Sequence, residues 1–298
     1  MTSTRREALL AGAAGVASLA WNPPAAVADA IPSTGVMFGT TEPAVGLAKR
    51  EAQMGRSFDI FHDYMGCNFG AHTSPHPDHT NLLTVSSSLH SKGLTPVQDT
   101  LAGKNDSAII ALRTSITTPT FVAIWQEMNG GWMATNDQYI GGAANYVKAY
   151  RHAALILRQN TNIILTWTPN IWAFGGVDDP EPYYPGDDVV DWVGFDGYCH
   201  GTYHSFDQLF SKAVAAYGPS GSRHKHPFMV AETAAQKALT PDKYVTSVHS
   251  SLLAHSGQVR SVCWFDNPWG TNGYEVDATT AELAAYKNMV TDPKLLAA

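Results

Sequence analysis

Residues 121–132 read FVAIWQEMNGGW. An apolar run ends there in a carboxylate, Glu127, and a glycine-rich turn follows at once. A run of this kind, bounded by turn residues, is typical of a buried strand. A second segment, 227–233, reads PFMVAET and also ends in a carboxylate, Glu232. Two buried strands that each end in a glutamate predict a parallel sheet with functional side chains at the carboxyl ends of its strands.

Six further runs have the same character, which gives eight predicted strands at 35–38, 58–63, 95–98, 120–126, 163–168, 191–195, 228–232 and 261–266. Helices are predicted between them, for example at 138–159, 205–217 and 241–255, the last with Thr240 as N-cap and Pro241 in its first turn. Crossovers of this length favour a single-domain α/β fold, a (β/α)₈ TIM barrel over 31–298. A doubly wound open sheet is the alternative, but no GxGxxG pattern follows the first strand.

The first thirty residues differ in character and are predicted to be a secretory signal peptide. Arg5 and Arg6 precede an apolar run at 8–20, which is shorter than the roughly 20 residues that a membrane span needs. Small residues at 26–28 suit a cleavage site, and the stretch TRREALL resembles the twin-arginine export signal. The alternative is an amphipathic or disordered N-terminal helix. We expect a secreted, extracellular protein with no membrane insertion.

Composition excludes several other classes of protein. The chain has 298 residues, a net charge of −7 and 15% charged residues, against roughly 25% in an average domain. With 10% aromatics it is not disordered, and it lacks the basic balance of a nucleic-acid binder. None of its three cysteines lies in a CxxC pair, so a zinc site is not expected. We expect a monomer that needs no cofactor.

The two glutamates suggest a reaction. Glu127 and Glu232 end the fourth and seventh predicted strands, which lie across a barrel mouth from one another. Facing carboxyl groups, one protonated and one ionised, are what glycosidic-bond cleavage requires. Trp125, Trp132 and Trp264 lie near the strand ends, where indoles can cover the apolar faces of sugar rings. The alternative is that either glutamate is a helix cap or a salt-bridge partner.

Four segments together resemble glycoside hydrolase family 26, which belongs to the retaining (β/α)₈ glycosidases: EMNG at 127–130 with Trp132, YPGDDVVDWVGFDGY at 184–198, FMVAE at 228–232 and VCWF at 262–265. The resemblance implies Glu127 as general acid/base and Glu232 as nucleophile, through a covalent glycosyl-enzyme. It also implies that Tyr198 hydrogen-bonds the nucleophile, that Trp132 and Trp264 line the cleavage subsites, and that Asp196 organises the same region.

Other residues are weighed for the same site. Asp196 and Tyr198 alternate at a strand end, so both can face the mouth, although a buried capping Asp and a core Tyr are the alternatives. Gln126 stands where the family usually has His; it can hydrogen-bond a sugar hydroxyl but does not titrate. His62, at the end of the second predicted strand, and Trp172, after the fifth, are further candidates for substrate binding, with a core His as the alternative for His62.

Two clusters could in principle bind a metal, but neither is assigned one. His72, His76 and His79 lie in a proline-containing loop without fixed geometry, so a solvated loop near the cleft is favoured. An acidic group at 178–191 lacks the alternation of an EF-hand calcium loop. No metal is expected.

The sequence therefore predicts a secreted, endo-acting, retaining glycoside hydrolase that cleaves a β-linked polysaccharide, with β-1,4-mannan first. A β-1,3/1,4-glucanase or β-1,3-xylanase of the same family stays open, as does a secreted carbohydrate-binding barrel without catalysis.

Overall fold

A computed structural model describes residues 31–86, 95–130, 141–171, 179–268 and 273–296. Eight parallel strands form a closed barrel in chain order: β1 Met37–Thr40, β2 Ile60–Met65, β3 Thr80–Val85, β4 Thr120–Ile124, β5 Ile163–Trp167, β6 Trp192–Asp196, β7 Phe228–Thr233 and β8 Ser261–Trp264. β1 pairs with β8 along its whole length, from Met37 beside Ser261 to Thr40 beside Trp264, and this pairing closes the barrel. The predicted barrel is confirmed, and the open sheet is excluded.

Helices follow most of the strands: α1 Leu47–Met54, α2 Pro96–Leu101, α3 Asp106–Ser115, α4 Ala143–Leu157, α5 Phe206–Tyr217, α6 Pro241–Ala254 and α7 Thr280–Val290, with a short 3₁₀ helix at Glu181–Tyr183. The connection from β2 to β3, which the structure describes throughout, runs without a helix. None of the described helices combines the length and apolar character that crossing a membrane requires.

Two local predictions are wrong. The third strand is Thr80–Val85, whereas the predicted strand at 95–98 begins helix α2. Pro96 takes the first helical position, where its fixed φ and missing amide hydrogen cost nothing. Thr240 adopts φ 49° and makes no side-chain cap, so the predicted N-cap is absent, although Pro241 does open α6.

The core lies in two layers because successive strand side chains point to opposite faces of the sheet. One layer fills the barrel and includes Leu82, Phe121, Trp192, Met229 and Cys263. The other packs the outer face of the barrel against the helices. This alternation decides which residue at each strand end can reach the mouth.

Candidate active site

The side chains that converge at the mouth come from the carboxyl ends of four strands. Glu127 follows β4, Asp196 ends β6, Glu232 lies near the end of β7, and His62 and Tyr64 lie on β2. Asp196 is close enough to both glutamates for their charges to raise its pKa. The structure thus brings the two predicted glutamates to one site, as their positions at the ends of β4 and β7 predict.

Glu232 is only 6% exposed, and each of its oxygens accepts a hydrogen bond from a phenol. Tyr198 donates to Oε2, as the family resemblance implies. Tyr64 donates to Oε1 at 2.8 Å. Burial raises the pKa of Glu232, while the two phenols act against that rise because they stabilise the ionised carboxylate.

Tyr64 was not among the predicted site residues. It lies two positions after His62 on β2, so both side chains point to the same face of the strand. The spacing of two residues from His62, itself a predicted site residue, is the signal that the sequence offers for Tyr64.

Glu127 occupies a strained turn directly after β4. Its φ is 57° and that of Trp125 is 49°, a left-handed conformation that non-glycine residues seldom adopt. The Glu127 amide donates to the Thr168 carbonyl at 2.7 Å, which fixes the turn against the end of β5. Backbone strain of this kind clusters at active sites, where the surrounding structure holds it in place.

Two asparagines that sequence reasoning missed position the Glu127 carboxyl group, Asn170 by direct contact and Asn129 through Asn170. Asn170 Nδ2 donates to Glu127 Oε1 at 2.6 Å. The Asn129 side chain makes two hydrogen bonds to the Asn170 backbone. Its Nδ2 donates to the Asn170 carbonyl at 2.9 Å, and its Oδ1 accepts from the Asn170 amide at 2.8 Å. Asn129 and Asn170 are both fully buried, so this clamp places the donor firmly beside Glu127.

Asp196 is fully buried, and neither carboxyl oxygen has a hydrogen-bond partner among the described residues. Burial, and then the charges of Glu232 and Glu127, raise its pKa well above the ordinary value. No described backbone amide pairs with its carboxyl group, so the alternative of a buried Asp that caps backbone amides does not describe Asp196.

His62 is buried beside the nucleophile. Its Nε2 lies 2.8 Å from Thr84 Oγ1 and 3.9 Å from Glu232 Oε1, and its ring stacks on Tyr64 with centroids 4.4 Å apart. Burial lowers the pKa of His62 to about 3, so the ring is neutral in ordinary buffers. The His62 ring therefore packs as a neutral group against the Tyr64 ring.

The tryptophans require a correction. Trp125 and Trp264 are each 1% exposed, so neither lies open to a sugar. Trp125 donates its indole N–H to the Cys67 carbonyl, and Trp264 packs between Tyr244 and Tyr286. On β8 it is Cys263 that faces the barrel interior, so Trp264 must face the helices.

The next residue after Trp264 lies closer to the site. Phe265 is half-buried and meets Tyr198 edge-on, with ring centroids 5.8 Å apart. Gln126 is likewise half-buried, directly before Glu127. Trp132 and Trp172 lie outside the described residues.

Each histidine of the loop lies beside a different carboxyl group. His72, His76 and His79 lie 3.4, 2.8 and 2.8 Å from Asp63, Glu42 and Glu51 respectively. In the described ranges, no three His, Cys, Asp or Glu side chains are grouped so that they could hold a metal ion. The acidic group after β5 is likewise bound by arginines and histidines, in the pairs Asp179–Arg223, Glu181–His224, Asp187–His224, Asp188–Arg151 and Asp191–Arg158.

Comparison with known proteins agrees with this geometry. The family model of glycosyl hydrolase family 26 matches residues 103–292. Endoglucanase H of Acetivibrio thermocellus is 28% identical over 177 residues, which are 55% of this chain and 19% of that relative, so the match spans about a fifth of the relative's length.

Solved structures share the barrel. A family 26 β-mannanase from Bacteroides ovatus superimposes with a TM-score of 0.64 at 16% identity, over 89% of this chain and 90% of the other. The catalytic domain of an endo-β-1,4-mannanase from Bacillus sp. JAMB-750 gives 0.66 at 15% identity, over 87% and 86%. At such identities these structures establish the fold. The family match covers well over half of the chain, which therefore belongs to glycosyl hydrolase family 26.

Proposed function

We propose that the protein is an endo-acting hydrolase of a β-linked polysaccharide, with Glu232 as nucleophile and Glu127 as general acid/base. The observation that carries this assignment is the difference between the two carboxyl environments. Both oxygens of Glu232 are held by phenols within a buried strand, whereas Glu127 stands half-buried on a strained turn and accepts a hydrogen bond from the Asn170 amide. The first arrangement suits a fixed, ionised nucleophile, and the second suits a group that exchanges a proton.

The reaction proceeds in two displacements. A Glu232 oxygen attacks the anomeric carbon while the bond from that carbon to the leaving oxygen breaks, and Glu127 gives its proton to that oxygen. Water then attacks the same carbon, Glu127 takes a proton from it, and the Glu232 carboxylate leaves with the electron pair. Burial and the charges of the two glutamates raise the pKa of Asp196, which disfavours a third negative charge beside the nucleophile.

The first substrate that we propose is β-1,4-mannan. Several solved structures with this barrel are described as β-mannanases, including those from Bacteroides ovatus and Bacillus sp. JAMB-750. Phe265, Tyr198 and Tyr64 form an aromatic rim at the mouth, which suits an open cleft that binds a chain along its length.

A β-glucan is the second candidate. The curated relative with the 28% match is named an endoglucanase, and its identity to this chain exceeds that of the mannanase structures. Gln126 also departs from the histidine that family members usually carry before the acid/base, at a position suited to contact the sugar bound there.

We further propose that the protein acts outside the cell, as a monomer, after export through a twin-arginine leader. Support comes from the sequence: Arg5 and Arg6 stand before a short apolar run and a small-residue cleavage motif.

The test is reducing-end release from a panel of mannan, galactomannan, mixed-linkage β-glucan and β-1,3-xylan. The wild type is expected to hydrolyse mannan and to leave a ladder of oligosaccharides. Glu127→Gln and Glu232→Gln should each lose at least about a thousandfold in kcat on such polymers while remaining folded. Glu181→Gln, a control on the 3₁₀ helix, should keep its activity. A wild type that binds polysaccharide but releases no ends would instead establish a carbohydrate-binding barrel.

A further inference from the structure

The hydrogen bond from Tyr64 to Glu232 connects strands that are not neighbours. β2 and β7 are separated in the barrel by β1 and β8, so the bond crosses the mouth. It joins residues 168 positions apart in the chain. A contact that spans the mouth and ends on the nucleophile has a larger effect on the reaction than on sheet pairing.

The neighbouring histidine fixes the Tyr64 ring in place. One face of the ring stacks on His62 at an angle of 29°, and the His62 imidazole is itself fixed by Thr84. The Tyr64 hydroxyl lies 3.4 Å from His62 Nδ1 and 2.8 Å from Glu232 Oε1, so the shorter and stronger bond goes to the carboxylate. Loss of solvent, and then the Glu232 charge, raise the pKa of Tyr64 well above the ordinary value, which keeps the phenol a donor.

We infer that Tyr64 is a second positioning residue for the nucleophile, which holds Glu232 Oε1 and stabilises the carboxylate as it leaves the sugar. The inference rests on the proposed function. When the glycosyl-enzyme is hydrolysed, the bond between the anomeric carbon and the Glu232 oxygen breaks and the electron pair stays on that oxygen. A phenol aimed at the carboxylate stabilises the charge that develops there.

The surroundings of Glu232 make this contribution measurable. The titratable groups that face it are His62 and Tyr64 on β2, Glu127 after β4, Asp196 and Tyr198 on and after β6, and Cys263 on β8. Burial disfavours the charged forms of both His62 and Asp196, and the hydrogen bonds from Tyr198 and Tyr64 are the contacts that favour the ionised form of Glu232. Removal of one phenol should therefore be visible in the titration of Glu232.

The variant is Tyr64→Phe, which keeps the ring on His62 and removes the donor. Tyr184→Phe is the matched control, because it also removes a hydrogen bond from a phenol to a carboxylate, here Asp187 at 2.6 Å. The Tyr184 hydroxyl also contacts His226, which lies just before β7 in the chain. An NMR titration of labelled glutamate side-chain carbons, with Glu232 assigned by its loss in Glu232→Gln, reports the pKa without any substrate. We expect the Glu232 pKa to rise by roughly one pH unit in Tyr64→Phe and to stay unchanged in the control.

Kinetics give the second readout, on whichever polysaccharide the wild type hydrolyses. The acidic limb of kcat/KM should move to higher pH in Tyr64→Phe, and kcat should fall about tenfold with a fall in KM, because the covalent intermediate accumulates. A Tyr64→Phe protein with the wild-type Glu232 titration, or with a raised KM and an unmoved pH profile, overturns the inference. An inactive wild type would sink the proposed function alone, since the titration would still decide whether Tyr64 holds Glu232.

Discussion

Asn170 illustrates how a buried amide can serve a reaction that it does not itself perform. The Asn129 clamp fixes its backbone, and its side chain donates a short hydrogen bond to Glu127 Oε1. Because Glu127 lies on a turn in the left-handed region, its carboxyl group depends on such outside contacts for its orientation.

Asn170→Ala is therefore expected to impair proton donation specifically. We expect kcat/KM on a polysaccharide to fall by roughly ten- to a hundredfold, whereas a dinitrophenyl glycoside, whose leaving group needs no proton, should keep nearly the wild-type kcat/KM. Comparison of the two substrates in one variant measures this. An equal loss on both would mean that Asn170 acts on the nucleophile or on folding instead.

A second buried carboxyl group, Glu282, lies away from the site at the start of α7. Its oxygens have no hydrogen-bond partner among the described residues. Burial, and then the charges of Asp266, Asp277 and Asp242, raise its pKa to about 8. The unfolded chain releases this proton near the ordinary glutamate pKa, whereas the folded chain keeps it up to about pH 8. Stability is therefore lost as the pH rises through that window.

Glu282→Gln tests this loss, since the amide keeps the shape and cannot ionise. The variant and the wild type should have similar melting temperatures near pH 4, and the variant should be more stable by up to a few kcal/mol at about pH 8. Thermal unfolding at several pH values measures the gap. A gap that does not change with pH would show that Glu282 is already ionised in the folded protein.

At the scale of elements, strands β4, β6 and β7 were predictable because they are continuous apolar runs bounded by turns. β3 was not, because Asn81 and Thr84 interrupt its apolar pattern, and both are buried only through the tertiary fold. Trp264 shows the same limit. Its position at a strand end was correct, but a one-residue difference in register decides whether a side chain faces the mouth or the helices.

Strand β1 has a position that admits no side chain. A Cβ at Gly39 would lie 2.5 Å from Cys263 Sγ and 2.9 Å from Ile60 Cβ, both on the strands that flank β1. Gly39→Ala should destabilise the protein by about 1–3 kcal/mol, because the clash falls where the barrel closes.

Chemical denaturation of Gly39→Ala measures the loss, with Gly66→Ala as control, where an added Cβ meets nothing within 4 Å. Equal denaturation midpoints for the two variants would contradict the close packing of β1 against β2 and β8 at Gly39.

For the whole molecule, the family and the two glutamates could be predicted, because each lies in a short local pattern. Asn170 could not, since its partner lies 43 residues away and meets it only when the barrel closes. For Tyr64 the sequence offers the alternation with His62, but not the partner, which lies 168 residues away. The complete site thus forms only when the barrel closes, whereas Glu127 and Glu232 can each be recognised from the sequence of a single strand.

Export is the prediction that belongs to the whole chain. A protein with Arg5→Lys and Arg6→Lys should remain in the cells of a bacterium that has twin-arginine export, while Arg56→Lys should reach the medium as the wild type does. Immunoblots of cells and medium measure the partition. Equal amounts of the double variant and the wild type in the medium would show that another route carries the protein out.

The carboxyl groups at the mouth also have a consequence for engineering. Asp196 is buried with no hydrogen-bond partner among the described residues, Glu232 is only 6% exposed, and Glu127 lies on a strained turn, so the parts of the molecule that are hardest to stabilise are those that the proposed reaction uses. Selection for heat resistance alone would favour replacements at these three positions, and the selected variants would be stable but inactive. Thermostable catalysts are better sought at Glu282 and on the helices, where gains in stability leave the chemistry untouched.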